Sequence, residues 1–190
     1  VISDIGEVLV RSPTTMTGYY KAPEITASTM TEDGFLRTGD QGKIDADGRL
    51  HITGRVKELF KTSKGKYVAP APIENRLLGD SLIEQVCVTG ANLPQPLAVL
   101  NLNETAQAAI ADPSARTEIA QQLASHLAAV NATLDPHERL SNLIAVSDRW
   151  TPESGFTTPT LKIKRNVIDD SYATQFEVWQ AQGNPIIFQS

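Results

Sequence analysis

Cysteine is almost missing from this chain. One thiol, Cys87, in 190 residues excludes an internal disulfide framework and fits a reducing compartment. It stands between Val86 and Val88, the setting of a buried structural thiol, and no base partner is visible for a nucleophilic role. The three histidines, His51, His126 and His137, are scattered and have no cysteine beside them, so no metal-ligand set emerges. No nucleophile elbow or Ser/His/Asp arrangement is present. No run is long and apolar enough to span a bilayer, and no signal-peptide pattern opens the chain. Positive charge is in deficit: the net charge of −5 argues against a general nucleic-acid binder. The chain starts at Val1 rather than Met, in residues that already read as strand, which leads us to expect a piece of a longer protein.

What is present is a foldable chain with one basic island. Hydrophobic residues make up 41%, enough for a packed core. Residues 1–53 read as short strands and tight turns. Ile5–Val10 is a strand stopped by Ser12-Pro13, and Pro23-Glu24 opens a short helix. Asp33-Gly34 and Asp47-Gly48 are turns, the second joining two strands as a hairpin. The island is Gly54–Glu74. Gly54-Arg55 is a polar joint, Leu59-Phe60 begins a strand, Lys64-Gly65-Lys66 turns the chain, Tyr67-Val68 returns, and Pro72 starts a helix. Between Gly54 and Val68, four lysines (Lys57, Lys61, Lys64, Lys66) and Arg55 against Glu58 leave a local charge of +4. A basic turn with glycine at its tip suits a phosphate-bearing ligand. Taken alone, the lysines are better read as a solvated hairpin face.

Further on, Leu82–Val88 and Leu97–Leu102 read as an antiparallel pair. Asp112-Pro113 caps a helix whose apolar residues Ile119, Leu123, Leu127, Val130 and Leu134 recur at helical spacing. Leu140–Val146 is a further strand. Thr151–Thr160 is a Pro/Gly/Thr loop able to move, and a last helix runs from about Asn166 to Ala181, with Ile168, Tyr172, Phe176 and Trp179 on one face. The whole is an α+β arrangement.

Three ordered segments resemble the motifs of the adenylate-forming enzymes, the superfamily of acyl-CoA synthetases, peptide-synthetase adenylation domains and luciferases. They are Gly34–Asp40 (GFLRTGD), the Gly54–Glu74 hinge and hairpin, and Thr158–Arg165 (TPTLKIKR); Gly18–Glu24 (GYYKAPE) extends the likeness upstream. The resemblance implies a small C-terminal lobe over 55–190, with a short antiparallel sheet flanked by helices. Residues 1–54 are then the β-rich tail end of a large N-terminal lobe. On spacing alone Asp40 is a turn aspartate; the resemblance implies that it accepts the ribose hydroxyls of ATP or AMP, with Arg55 beside it. It makes Lys57 the hinge and puts Lys64 and Gly65 where the pantetheine arm of CoA passes.

Lys162, by base rate a surface lysine, becomes the catalytic cation of the adenylation step. The family pattern has glycine before this lysine. Leu161 stands there instead, in a form similar to the long-chain acyl-CoA synthetase branch. The family's Ser/Thr/Gly-rich phosphate loop and its adenine motif are not in this chain. The expected function is that of the C-terminal part of an AMP-forming long-chain fatty acid–CoA ligase, with ATP, CoA and a fatty acid as substrates, magnesium carried with ATP, and the N-terminal lobe as partner. A cytoplasmic location follows, with peripheral membrane association allowed. The alternatives are an aryl or short-chain CoA ligase, a relative that hands the acyl group to a carrier protein or another acceptor, and a non-catalytic nucleotide-binding module.

Overall fold

Alternation and turn chemistry shape the first part of the computed structural model, which describes residues 1–189. Strands β1 (Glu7–Val10), β2 (Leu36–Ile44) and β3 (Leu50–Arg55) form an antiparallel sheet in the order β1-β2-β3, with helix α1 (Pro23–Thr29) between the first two in sequence. Proline at its first turn starts α1. The Asp47-Gly48 turn closes the β2–β3 hairpin as its sequence suggests. Asp45 Oδ1 accepts the amides of Asp47 and Arg49, and its other oxygen meets His51 Nε2 at 2.7 Å. The His51 hydrogen bond, with the Arg49 amide, holds the Asp45 carboxyl below its usual pKa.

Contacts divide the chain into two compact units, Val1–Leu59 and Phe60–Ser190; the motif boundary at 54/55 falls at the end of β3. The second unit begins with a small hairpin, β4 (Phe60–Lys61) against β5 (Tyr67–Val68), followed by helix α2 (Pro70–Leu77). A four-stranded sheet comes next, in the order β6 (Ile83–Thr89), β7 (Leu97–Leu102), β8 (Leu143–Ala145), β9 (Ile186–Phe188). Helices α3 (Glu104–Ala109) and α4 (Pro113–Ala132) cross from β7 to β8, and α5 (Arg165–Ala181) crosses from β8 to β9.

The sheet is antiparallel only between β6 and β7; β8 runs parallel to β7, and β9 parallel to β8. The helical crossovers account for this, since a chain that returns through a helix re-enters the sheet in the same direction. Strand β9 has too short an apolar run to stand out in the sequence. Helix α2 starts two residues before Pro72, and β8 is the middle of the expected 140–146 segment, with Leu140 and Val146 buried beyond its ends.

The sheet separates two cores. Val86, Val88, Ala98 and Leu100 face Ile73 and Leu77 of α2 and Leu123, Leu127 and Val130 of α4. Cys87, Val99 and Ile144 face Ile168, Tyr172, Phe176 and Trp179 of α5. The period of two along β6 and β7 sends successive side chains to opposite cores. Each fully buried large aliphatic side chain contributes about 1.5–3 kcal/mol. Cys87 is buried, as its valine neighbours suggest.

Candidate functional site

The expected site residues lie on a strand pair with the 3₁₀ turn that follows it, on a hairpin tip and on a loop turn. In the first unit, Asp40 and Arg55 are direct cross-strand partners of β2 and β3. Arg55 Nε donates to Asp40 Oδ1 at 2.9 Å. The pair is solvent-accessible, so it contributes little to stability; what it does is fix the carboxylate's direction. The backbone behind it is braced. Buried Glu7 accepts from the Gly39 amide at 3.1 Å and pairs with Arg37 at 3.2 Å, and Thr38 Oγ1 accepts the Asp40 amide at 3.1 Å. Gly39 has φ +73°, a conformation that favours glycine. The Thr-Gly-Asp sequence is thus a rigid corner that leaves Asp40 Oδ2 available to a donor. Glu7 is the bracing residue that the sequence does not single out. Lys57 is exposed in a single 3₁₀ turn, Val56–Glu58, with no buried residue.

In the second unit, Lys64 and Gly65 form the tip of the β4–β5 hairpin. The Gly65 amide donates to Thr62 O and the Thr62 amide to Lys66 O, each at 2.9 Å. Gly65 has φ +79°, and a Cβ added there would meet nothing closer than Lys61 Cε at 3.7 Å. The tip therefore presents bare backbone flanked by two exposed lysines.

Lys162 ends a separate turn. The Leu161 amide donates to Thr158 O at 2.8 Å, the Thr158 amide to Lys162 O at 2.8 Å, and the Lys162 amide to Thr158 Oγ1 at 3.1 Å. An antiparallel bridge between Thr157 and Ile163 closes its base. Pro159 occupies the second position of this turn, as its fixed φ favours. Leu161 takes the left-handed position, with φ +61° and 66% exposure. It adopts a backbone conformation that ordinarily favours glycine. The Lys162 side chain is exposed. Below the turn, Phe156 stacks between Trp150 and Tyr172 at centroid distances of 6.2 and 6.3 Å. The Tyr172 hydroxyl donates to Asp148 at 2.7 Å, and burial pushes its pKa up. The Thr151–Thr160 loop is therefore cross-braced at its base.

Arg165, three residues after Lys162, forks onto Glu74 of α2, with Nη1–Oε1 at 2.7 Å and Nη2–Oε2 at 3.1 Å. One turn further along α5, Asp169 accepts from Thr89 Oγ1, and burial raises its pKa. Neither contact is visible in the sequence, because the partners are 91 and 80 residues apart. Among the described residues no group of three or more His, Cys, Asp or Glu side chains converges on a metal position, and no helix is long and apolar enough to cross a membrane.

Corner, hairpin and lysine turn carry the motifs of one class of protein. Residues 58–181 match the family of AMP-binding enzyme C-terminal domains, and the chain belongs to that family. Among its relatives is the long-chain-fatty-acid–CoA ligase FadD15 of Mycobacterium tuberculosis, 32% identical over 188 residues that cover 93% of this chain and 31% of the relative. Among solved structures it is similar to the adenylation domain of a carboxylate reductase from Mycobacterium chelonae, with a TM-score of 0.78 and 30% identity over 93% of this chain and 28% of that one. It is also similar to the A-PCP didomain of a carboxylic acid reductase from Segniliparus rugosus in complex with AMP, with a TM-score of 0.77 and 29% identity over 93% of this chain and 25% of that one. The chain thus spans about a third of the length of the curated relatives it matches.

Proposed function

We propose that the chain is the C-terminal part of an AMP-forming long-chain fatty acid–CoA ligase. The observation that carries this reading is the Lys162 turn. An exposed ammonium stands at the end of a backbone loop held by three hydrogen bonds and a bridge, in the sequence context of the family's catalytic lysine.

In the first half-reaction the fatty acid carboxylate attacks the α-phosphorus of ATP, pyrophosphate leaves, and acyl-AMP forms. Lys162 neutralises the negative charge that gathers between carboxylate and phosphate, an effect strongest where the charge is preorganised and water excluded. Asp40, an acceptor-only carboxylate, holds the ribose hydroxyls, and Arg55 orients it. In the second half-reaction the CoA thiolate attacks the acyl carbonyl and AMP departs. Rotation of the backbone at Lys57 exchanges the Lys162 turn for the Lys64–Gly65 tip, where absent side-chain bulk admits the pantetheine arm. Magnesium comes with the ATP phosphates, and no step is assigned to it. The 190 residues by themselves complete no adenylation, since the family's phosphate loop lies outside them. A cytoplasmic site of action, peripheral to a membrane where the fatty acid is delivered, belongs to the same reading.

The likeness to the adenylation domains of carboxylate reductases favours one second reading, transfer of the acyl group to a carrier-protein thiol. The test is to supply the whole enzyme with ATP and a panel of long-chain, short-chain and aryl acids, with CoA or a carrier protein as acceptor. AMP and acyl-CoA formed from long-chain acids are the expected products. Acyl transfer to the carrier alone supports the second reading, and nucleotide binding without turnover establishes a binding module.

A further inference from the structure

Strand β6 lies at the edge of its sheet, yet Val88 within it is fully buried. A buried edge residue faces a problem, because backbone groups pointing away from the sheet have no neighbouring strand to pair with. Here two side chains take the place of that strand. Glu74 Oε1 accepts the Val88 amide at 2.8 Å, and Arg165 Nη1 donates to Val88 O at 2.7 Å. The same two side chains are forked to each other, and the arginine also reaches Cys87 Sγ at 3.1 Å. Their side chains are only 14% and 20% exposed, respectively. The planar guanidinium donates along two edges at once, which a lysine ammonium on a flexible stem does not reproduce. Asp169, on the same face of α5 and bonded to Thr89, extends the contact along β6.

The position of this knot in the chain matters more than its strength. On one side, Arg165 is the first residue of α5, directly after the lysine turn. Lys164 binds back to Phe156 O at 2.8 Å, and Ile163 forms the bridge that closes the turn. On the other side, Glu74 sits on α2, which follows the Gly65 hairpin after a single intervening residue, with Val68 and Pro70 both buried. The two turns expected to serve opposite half-reactions are therefore braced at one point.

We propose that the Glu74–Arg165 pair is a positioning strut that fixes the Lys162 turn and the Lys64–Gly65 hairpin as one rigid unit, so that a single lobe movement exchanges one for the other. Both residues act through the turns they hold, not as catalytic residues. The inference rests on the two-half-reaction reading above. Its consequence is distinctive: loosening the strut disturbs both half-reactions together, while changing Lys162 disturbs only one.

The test uses the whole enzyme as wild type, Arg165→Lys, Glu74→Gln and Lys162→Ala. Single-turnover rates are read for acyl-AMP formation and for thioester formation from supplied acyl-AMP, and backbone hydrogen exchange is read by residue. Both strut variants are expected to lose on the order of ten- to hundred-fold in each rate, the scale of a small misplacement of reacting groups. KM for ATP is expected to hold, because Asp40 and Arg55 are untouched. Exchange is expected to rise together at residues 62–66 and 158–164 while β7 stays protected. A rise at only one turn, no rise at either, or a uniform rise that includes β7 overturns the strut. Unchanged adenylation in Lys162→Ala overturns the two-step reading instead, and the exchange pattern still decides the strut.

Discussion

Leu161 stands in a backbone region that an L-residue enters at a cost of about 1–2 kcal/mol, and nothing buries its side chain in return. Leu161→Gly removes that strain but frees the unfolded chain, so a net gain of up to about 1 kcal/mol is expected. Leu161→Val adds a β-branch where φ is positive and is expected to lose about 1 kcal/mol or more. Denaturation midpoints of the two variants check this, and equal midpoints contradict it. Asp169 makes a second residue-scale case. Burial raises its pKa above the ordinary 3.8, so the folded protein binds this proton more tightly than the unfolded chain does. Its contribution to stability is then largest at low pH and falls as pH rises from the ordinary carboxylate value through the raised one. Asp169→Asn keeps an acceptor for Thr89 Oγ1 and is expected to gain in melting temperature relative to wild type across that window, levelling off above it. Parallel melting curves from pH 4 to pH 7 contradict the assignment.

At the scale of elements, the β4–β5 hairpin is read from its tip. A Cβ at Gly65 collides with nothing, so Gly65→Ala costs only the left-handed backbone, about 1 kcal/mol. Folding is expected to tolerate the change, adenylation to hold, and thioester formation to fall by about ten-fold or more, since a methyl group then stands on the path assigned to the pantetheine arm. Equal effects on both steps contradict the assignment. Local signals made much of this level legible in the sequence. Lys64-Gly65-Lys66, Asp47-Gly48 and Asp112-Pro113 each mark a turn or cap, and the structure has one at each place: Asp112 accepts the amides of Ser114 and Ala115 at the start of α4. The stripe from Ile119 to Val130 is buried as its period requires. Tertiary pairing was not legible. The parallel arrival of β8 and β9 depends on where two helices return the chain. Glu74 and Arg165 carry no mark of each other across the 91 residues between them. The turn that ends at Lys162 was legible as a motif, and the Glu74–Arg165 contact beside it was not.

At the scale of the molecule, the chain holds two units, and its motifs divide between them. The corner at Asp40, to which the proposed function gives the nucleotide ribose, lies in the first, and the lysine turn and the glycine hairpin lie in the second. Such a division suits a protein that needs two different surroundings for one carbonyl, supplied in sequence by moving one lobe. The most direct test of that claim is Lys162→Ala in the whole enzyme, comparing acyl-AMP formation from ATP and fatty acid with thioester formation from supplied acyl-AMP and CoA. The expected result is loss of the first rate by a hundred-fold or more, on the order found for removal of one charge-stabilising group, with the second rate unchanged. Survival of both rates makes Lys162 an ordinary surface lysine and contradicts the division of labour between the two turns.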